Sequence, residues 1–136
     1  MVCPYCAAKT EVVNSRLQKR SNQVWRRRQC RECKSVFTTH EAIDLSSSLR
    51  VSTNGELKPF ISDLLFTEVL LALQDRKDCY TESREVTGTI IQELLKSQAS
   101  PVFTPKQISE VTAGILKRFN QRAWHRYTAE HPSQQA

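Results

Sequence analysis

Glycine, long apolar runs and catalytic patterns are scarce in this sequence. Three glycines occur in 136 residues, too few and too scattered for a glycine-rich phosphate loop. No stretch approaches the roughly 18 consecutive apolar residues of a membrane span. Met1 leads directly into polar sequence, without the apolar core of a signal peptide. These absences predict a cytoplasmic protein with no membrane partner.

Groupings typical of an active site are missing as well. No paired carboxylates and no serine–histidine arrangement stand at a spacing that predicts acid–base or nucleophilic catalysis. His40, His125 and His131 fall on no metal-ligand spacing, so we expect them at the surface. The sequence therefore predicts a protein that is not an enzyme.

Four of the five cysteines stand in two short pairs. Cys3 and Cys6 form one C-x₂-C pair, Cys30 and Cys33 form the second, and 23 residues separate the pairs. Two such pairs are typical of a zinc site, although this spacing is slightly longer than usual. Four thiolates complete the tetrahedral shell of Zn²⁺ and leave no open position, so the metal has a structural role. The pattern predicts one Zn²⁺ per chain in a zinc ribbon, and Cys79 is expected to be an inert, small apolar residue.

Other uses of the paired cysteines fit less well. Disulfides are rare in the reducing interior of a cell, where such pairs more often bind metal. A rubredoxin-like redox protein would hold iron in a similar four-cysteine site. The arginine-rich sequence between the pairs does not suit an electron carrier, so zinc is the expected metal.

Positive charge is concentrated in the first forty residues. They hold nine lysines and arginines against two acids, a net charge of +7, whereas the rest of the chain has a net charge of −1. Such a basic segment is the electrostatic signature of a nucleic-acid-binding protein. Arg26, Arg27 and Arg28 lie within it, and the planar guanidinium group bonds two phosphate oxygens at once. We therefore expect these arginines to contact nucleic acid.

The change from a strongly basic to a nearly neutral sequence coincides with a polar junction at residues 44–48. Together they predict two domains. A module of about 45 residues is too small for a self-sufficient apolar core, so zinc must supply part of its folding free energy. The expected domains are a zinc ribbon at residues 1–45 and a helix-rich domain at residues 49–130. Flexible segments are expected at residues 46–48 and in a tail at residues 131–136.

Local patterns in the ribbon predict strands, and with the helices that follow they predict an α+β fold. Segments rich in β-forming residues at 11–16, 24–29 and 36–39 predict a small three-stranded sheet. Alternation along the second segment places Arg26 and Arg28 on one face, with Arg27 on the other beside Trp25.

A β-hairpin and three to four helices are predicted after the junction. Asn54-Gly55 between two strand-like segments favours a type I′ turn. Ser62 and Thr81 are expected to cap the first two helices, and Thr104-Pro105 begins a third through a capping box. Apolar residues surround the first helix so completely that we expect it to be largely buried. A short last helix is expected over residues 121–127.

The order of these motifs closely resembles that of the bacterial NrdR family. The resemblance implies a zinc ribbon followed by an ATP-cone domain, in a transcriptional repressor of ribonucleotide reductase genes. It also implies that the ribbon binds double-stranded DNA and that ATP or dATP in the cone changes the state of a homo-oligomer. It extends over about residues 3 to 128. The motifs that carry it are Cys3-Pro4-Tyr5-Cys6, Asn14-Ser15-Arg16-Leu17, the segment from Val24 to Cys30, Cys33, and Phe37-Thr38-Thr39.

The resemblance assigns sites residue by residue. It places the metal on the four paired cysteines. Asn14 stands where the family usually has aspartate, a change that leaves DNA binding credible. The implied DNA contacts are Arg16, Arg26, Arg27 and Arg28, and the implied nucleotide-binding residues are Val51, Gly55, Lys58 and Arg126.

The cone departs from the family pattern at three places that would bind phosphate. Ser52-Thr53 replaces a Lys-Arg pair, Leu64 replaces a lysine early in the first helix, and Lys58 replaces a glutamate. A triphosphate carries about four negative charges, and each charge-assisted hydrogen bond contributes roughly 1.5–3 kcal/mol. We therefore expect the cone fold to persist while its affinity for ATP or dATP is reduced, shifted in specificity or lost.

An alternative function is a protein-interaction or general nucleic-acid-binding module with a structural zinc ribbon. In that case the helical domain binds a protein, and the arginines provide solubility or general RNA contact. Comparing binding to a defined DNA site with binding to random DNA separates the two functions.

Overall fold

The computed structural model describes residues 1–97 and 100–132, and the chain divides into two compact units. The first, Met1–Asp44, is called the ribbon below, and the second, Leu45–Ala136, the helical unit. Strands form the ribbon and helices dominate the second unit, so the predicted α+β class is confirmed. Positions 133–136 of the predicted flexible tail lie outside the described residues.

Three antiparallel strands form the ribbon sheet in the order β1-β2-β3. They are β1 (Thr10–Gln18), β2 (Gln23–Cys30) and β3 (Val36–Glu41), each longer than the segment predicted for it. A bulge interrupts the β1–β2 register between Val12 and Asn14. The sheet places β2, which carries the three consecutive arginines, in the centre.

A single helical turn, α1 (Leu45–Ser48), occupies the predicted flexible junction. The Leu49 N–H donates to the Leu45 carbonyl at 2.8 Å, and the Arg50 guanidinium donates to the Ser46 carbonyl at 2.7 Å. These bonds satisfy carbonyls at the end of the turn. The expectation of a flexible 46–48 segment is therefore wrong.

A small mixed sheet begins the helical unit. Strands β4 (Arg50–Thr53) and β5 (Glu56–Pro59) form the predicted hairpin, and Asn54 and Gly55 have φ values of 51° and 84°. Positive φ at both central residues is the requirement of a type I′ turn, so that prediction is confirmed. Strand β6 (Val102–Phe103), which the sequence did not predict, pairs with β4 in parallel.

The described residues of the helical unit form four further helices, α2 (Ser62–Ala72), α3 (Cys79–Ser97), α4 (Pro105–Phe119) and α5 (Gln121–Glu130). They pack against one another, α4 also packs against β4, and together they surround an apolar core. Within the described residues, no helix combines the length and apolarity needed to cross a bilayer. The buried core residues are Leu49, Phe60, Leu65, Val69, Ala72, Leu73, Val86, Ile90, Leu94, Phe103, Ile115, Leu116, Ala123 and Tyr127.

Helix caps agree with the sequence at α4 and differ at α2 and α3. The Thr104 side chain accepts from the Gln107 N–H at 3.2 Å and completes the predicted capping box. The cap predicted at Ser62 is wrong, because Ser62 lies in the first turn and the capping position falls on Ile61. The cap predicted at Thr81 is also wrong, because α3 begins two residues earlier. The local cap pattern could not reveal this earlier start.

Helix α2 is far less buried than expected. Leu65, Val69 and Ala72 face the core, but Leu64 and Leu71 are 62% and 49% exposed. The reason is that α3 and α5 pack against α2 along one side only, so its second apolar face stays open. Burial of the whole circumference would require neighbours all around the helix.

Candidate zinc centre, arginine faces and cavity

The four paired cysteines come together at one end of the ribbon sheet. The Sγ atoms of Cys3 and Cys33 are 3.7 Å apart, those of Cys6 and Cys30 are 3.5 Å apart, and all four lie within 4.8 Å of one another. A Zn–S bond of about 2.3 Å in a tetrahedron requires sulfur separations of about 3.8 Å. The cluster therefore fits one Zn²⁺.

Tight turns bring each cysteine pair into this position. The Ala7 N–H donates to the Cys3 carbonyl at 2.9 Å, and the Cys30 N–H donates to the Ser35 carbonyl at 2.9 Å. Ala7 and Lys34, one residue beyond each pair, adopt positive φ values of 59° and 61°. The Cys3 N–H also donates to the Ala8 carbonyl at 2.8 Å, as Cys30 does to Ser35, so the two turns have equivalent backbones.

The Cys6 and Cys33 thiols of the cluster differ in pKa. Hydrogen bonding between the Cys33 sulfur and the Ser35 side chain and backbone lowers the pKa of the Cys33 thiol to about 6. A backbone hydrogen bond from Ala8 lowers the pKa of Cys6, but the neighbouring Cys30 and Cys33 thiols outweigh it and raise that pKa to about 11. Several thiolates this close repel one another, so full ionisation of the cluster requires a bound cation.

Register in the ribbon sheet divides the four candidate DNA-binding arginines between two faces. Residues directly opposite in an antiparallel pair project to the same side. Asn14 lies opposite Arg27, and Arg16 lies opposite Trp25. These four residues therefore share one side of the sheet, called the Arg27 face below, while Arg26 and Arg28 project to the other side.

The two faces differ in how their arginines are held. Arg26 forms an ion pair with Glu41 at 3.0 Å, and the Arg28 Nε donates to the Thr39 hydroxyl at 3.2 Å. Within the described residues, Arg16 and Arg27 have no hydrogen-bond or ion-pair partner, and both are exposed. The sequence could not separate them, because Glu41 meets Arg26 only through the β2–β3 register.

The candidate nucleotide-binding residues do not form one group. Val51 and Lys58 line a cavity of about 430 Å³ in the helical unit. Gly55 lies in the hairpin turn, and Arg126 donates instead to the Ala72 carbonyl and to Asp75 Oδ1, both at 2.7 Å. The hydrogen bond from Arg126 to Asp75 lowers the pKa of the Asp75 carboxyl to about 2. The structure therefore brings together two of the four residues.

Residues of the β4–β5 hairpin and of helices α2, α4 and α5 line this cavity. Thr53 and Leu64, two of the substituted family positions, lie in its wall. Glu68 and His131 also line it, and sequence reasoning missed both. Glu68 stands four residues after Leu64 on α2, a helical spacing that could have placed them on one face. No pattern marked His131, whose ring stacks on Tyr127 with centroids 4.3 Å apart instead of extending into a flexible tail.

The remaining cysteine and histidines contribute no site. Cys79 is half-buried at the start of α3, where it packs against the core. His40 and His125 are exposed, as expected.

Comparisons with known proteins agree with this architecture. Residues 1–41 match the family model of the transcriptional repressor NrdR-like N-terminal domain, a zinc ribbon. A transcriptional repressor NrdR from Psychrobacter sp. (strain PRwf-1) is 32% identical over 130 residues, which cover 95% of this chain and 84% of that protein. The repressor of the same name from Bordetella pertussis (strain Tohama I) is 32% identical over 98% of this chain and 83% of its own length.

A more distant relative shows the same extent of similarity. The transcriptional repressor NrdR from Gloeobacter violaceus is 29% identical over 95% of this chain and 75% of its own length. Similarity therefore spans both the ribbon with its four-cysteine zinc cluster and the helical unit. From its ribbon and from relatives aligned over nearly its full length, this chain belongs to the NrdR family of transcriptional repressors.

Proposed function

We propose that this protein is a zinc-dependent repressor that binds double-stranded DNA through the Arg27 face of its ribbon. The family resemblance implies ribonucleotide reductase genes as the target and a homo-oligomer in the cytoplasm as the active form. The observation that supports the proposal is a pair of exposed arginines, Arg16 and Arg27, on adjacent strands of one face and without a partner in the part of the chain that the structure describes. An arginine already bonded within the protein must break that bond before it can contact DNA.

The residues of the Arg27 face have chemistries suited to DNA. Arginine bonds guanine O6 and N7 or a phosphate in bidentate fashion, and asparagine bonds adenine N6 and N7. Asn14 and Arg27 are direct cross-strand neighbours, so their side chains reach neighbouring positions on a duplex. Arg26 and Arg28 contribute to the positive field that attracts DNA and, through Glu41 and Thr39, fix strand β2 against β3.

Zinc contributes by holding the ribbon folded and takes no part in chemistry. Cys3, Cys6, Cys30 and Cys33 would hold it, and these four ligands leave no position for a substrate. Strand β2 ends at Cys30, so the metal fixes the end of the strand that carries the arginines.

Nucleotide control of the oligomer is weak or absent in this proposal. Ser52, Thr53 and Leu64 offer no cation to a triphosphate. Lys58 forms an ion pair with Glu56 at 3.2 Å, and Arg126 is held by Asp75. A ligand shifts an equilibrium only through its difference in affinity for the two states, so a weakly bound nucleotide changes the oligomer little.

Two double variants test the DNA proposal. Arg16→Ala with Arg27→Ala removes the free arginines, and Arg26→Ala with Arg28→Ala removes an equal charge from the opposite face. We expect the first to weaken binding to a ribonucleotide reductase promoter fragment by about 2–6 kcal/mol, at roughly 1–3 kcal/mol per base-reading arginine. The second should weaken promoter and scrambled duplexes alike, with a lower salt slope.

Fluorescence anisotropy at several salt concentrations measures both effects. Equal losses for the two double variants would contradict the assignment of DNA binding to the Arg27 face. Equal affinity of the wild-type protein for promoter and scrambled duplexes would favour the alternative function, a general nucleic-acid-binding or protein-interaction module.

A further inference from the structure

The cavity in the helical unit has the size and lining of a small-molecule site. Its volume of about 430 Å³ falls in the range of roughly 300–1,000 Å³ that such sites occupy. The buried side chains of Phe60 and Leu65 belong to its wall, and Ile108 from α4 lines it as well. Leu64, 62% exposed, also lines it. A ligand with an apolar body would cover this exposed leucine.

The cavity wall contains one carboxylate, one lysine and one histidine among the described lining residues. Lys58 and Glu68 are the lysine and carboxylate among the described lining residues. Lys58 is 60% exposed and its Nζ lies 3.2 Å from Glu56, so its charge lies at the surface and has an acidic partner there. The nearest charged partner of Glu68 is His131, whose Nε2 is 3.9 Å away, beyond hydrogen-bonding distance. Glu68 therefore remains available as an acceptor.

Burial acts on Glu68 in the direction expected for a carboxylate beside apolar walls. Desolvation raises its pKa, the His131 ring opposes this, and Glu130 adds to it. An anionic ligand would increase that cost, because it would place a second negative charge next to the first in a partly dehydrated space. An amine would reduce the cost through a charge-assisted hydrogen bond.

We propose that this cavity binds a small, largely apolar molecule that presents an amine or a neutral N–H donor to Glu68 and carries no anionic group. The ligand class thus differs from a nucleoside triphosphate in the sign of its charge. A preference against anions follows from Glu68 together with Thr53 and Leu64, which offer an approaching phosphate no positive charge. The proposal does not depend on DNA binding by the ribbon.

Three probes of one size and different charge test this selection. 2-Phenylethylamine, 2-phenylethanol and phenylacetate share a ring and a two-carbon chain but carry positive, zero and negative charge at neutral pH. Titration into the zinc-loaded full chain, followed by ¹H–¹⁵N NMR, should shift signals of Phe60, Leu65 and Ile108. We expect the amine to bind about tenfold more tightly than phenylacetate, which corresponds to about 1.4 kcal/mol, with the alcohol between them.

Variants assign the preference to individual side chains. Glu68→Gln should abolish the advantage of the amine over the alcohol, whereas Glu110→Gln, an exposed control on α4 outside the cavity, should leave it unchanged. Leu64→Lys should reverse the order so that phenylacetate binds best. Ile108→Trp should fill the cavity and abolish binding of all three probes.

Several outcomes would overturn the proposal. One is phenylacetate binding to the wild-type chain as tightly as the amine, and another is the absence of shifts at the cavity residues with every probe. A third is displacement of the amine by dATP at micromolar concentration, which would establish a triphosphate site. None of these results bears on the Arg27 face, so failure here is distinguishable from failure of the DNA-binding proposal.

Discussion

Residues 1–44, all of which the structure describes, bury two side chains, Cys3 and Cys30, whereas the described part of the helical unit buries a continuous cluster of fourteen apolar residues. In the ribbon, the β1 side chains of Val12, Val13 and Leu17 are 42–60% exposed. We therefore expect the two units to obtain stability from different sources, metal ligation in one and apolar burial in the other.

This difference shows what a metal makes possible in a small domain. Because the zinc cluster occupies one end of the sheet, the rest of the ribbon surface is not needed for a core. Arginines can then occupy both faces of the central strand, and Arg27 there and Arg16 on β1 have no partner among the described residues. A sheet of this size that depended on apolar burial would have to give one of those faces to the core.

Loss of one zinc ligand should produce the largest difference in folding between the two units. Zinc contributes about 10–16 kcal/mol in small zinc-finger peptides, more than the stability of a small domain. Cys30→Ser should therefore unfold residues 1–44 and leave the helical unit folded, as judged by ¹H–¹⁵N NMR and zinc analysis. As a control, the Cys79→Ser protein should still bind zinc, because Cys79 lies outside the cluster. An intact ribbon spectrum for Cys30→Ser would contradict metal-dependent folding.

Truncation of one leucine in each unit should give the next largest contrast. Leu116 is fully buried in α4, and its replacement by alanine should cost about 2–5 kcal/mol of unfolding free energy. Leu17, on β1, is 60% exposed, so Leu17→Ala should change stability by no more than about 0.5 kcal/mol. Urea denaturation of the zinc-loaded protein measures both. Similar costs would mean that the ribbon also depends on apolar burial.

Acid should weaken the helical unit through the Asp75–Arg126 pair. The Arg126 hydrogen bond lowers the Asp75 pKa from 3.8 to about 2 in the folded state. A lowered folded-state pKa stabilises above the unfolded-state value, and that contribution is lost as pH falls from about 4 to 2. Denaturation monitored by helical-unit NMR signals should show this loss, and Asp75→Asn should show less of it. Identical pH profiles for the wild-type protein and Asp75→Asn would show that the Asp75–Arg126 pair does not cause the loss of stability in acid.

The smallest effect is expected from hydroxyls that lack partners. The Ser83 and Thr87 side-chain oxygens are buried on α3 without a hydrogen-bond partner among the described residues. Ser83→Ala should therefore be neutral or stabilise the helical unit by up to about 1 kcal/mol. Thr104→Ala, which removes the α4 cap, should instead cost about 1 kcal/mol. Thermal unfolding compares the pair, and destabilisation by Ser83→Ala would indicate a bond to bound water.

The features that the sequence predicted correctly are those with local causes. The two cysteine pairs, the Asn54-Gly55 turn and the Thr104 capping box each depend on residues within a few positions, and the structure contains all three. Strand alternation also separated Arg27 from its neighbours. These patterns act through backbone geometry that distant contacts change little.

The features that it missed depend on residues far apart in the chain. Arg26 is neutralised by Glu41 because of the β2–β3 register, and Arg126 is held by Asp75 across the helical unit. Strand β6 has two residues, too few for any periodic pattern. The exposed face of α2 depends on which neighbours pack against it. Periodicity shows that a face is apolar and does not show whether anything covers it.

The two partners of β4 impose an order on folding. Strand β5 follows β4 directly and can pair within about 1–10 μs, the time in which hairpins form. Strand β6 pairs with β4 only after the chain has closed a loop of about fifty residues that contains α2 and α3. The Arg50 N–H, which donates to the Pro101 carbonyl at 2.9 Å, is satisfied only at that closure. The time at which this N–H becomes protected from hydrogen exchange during refolding therefore reports when β6 joins the sheet.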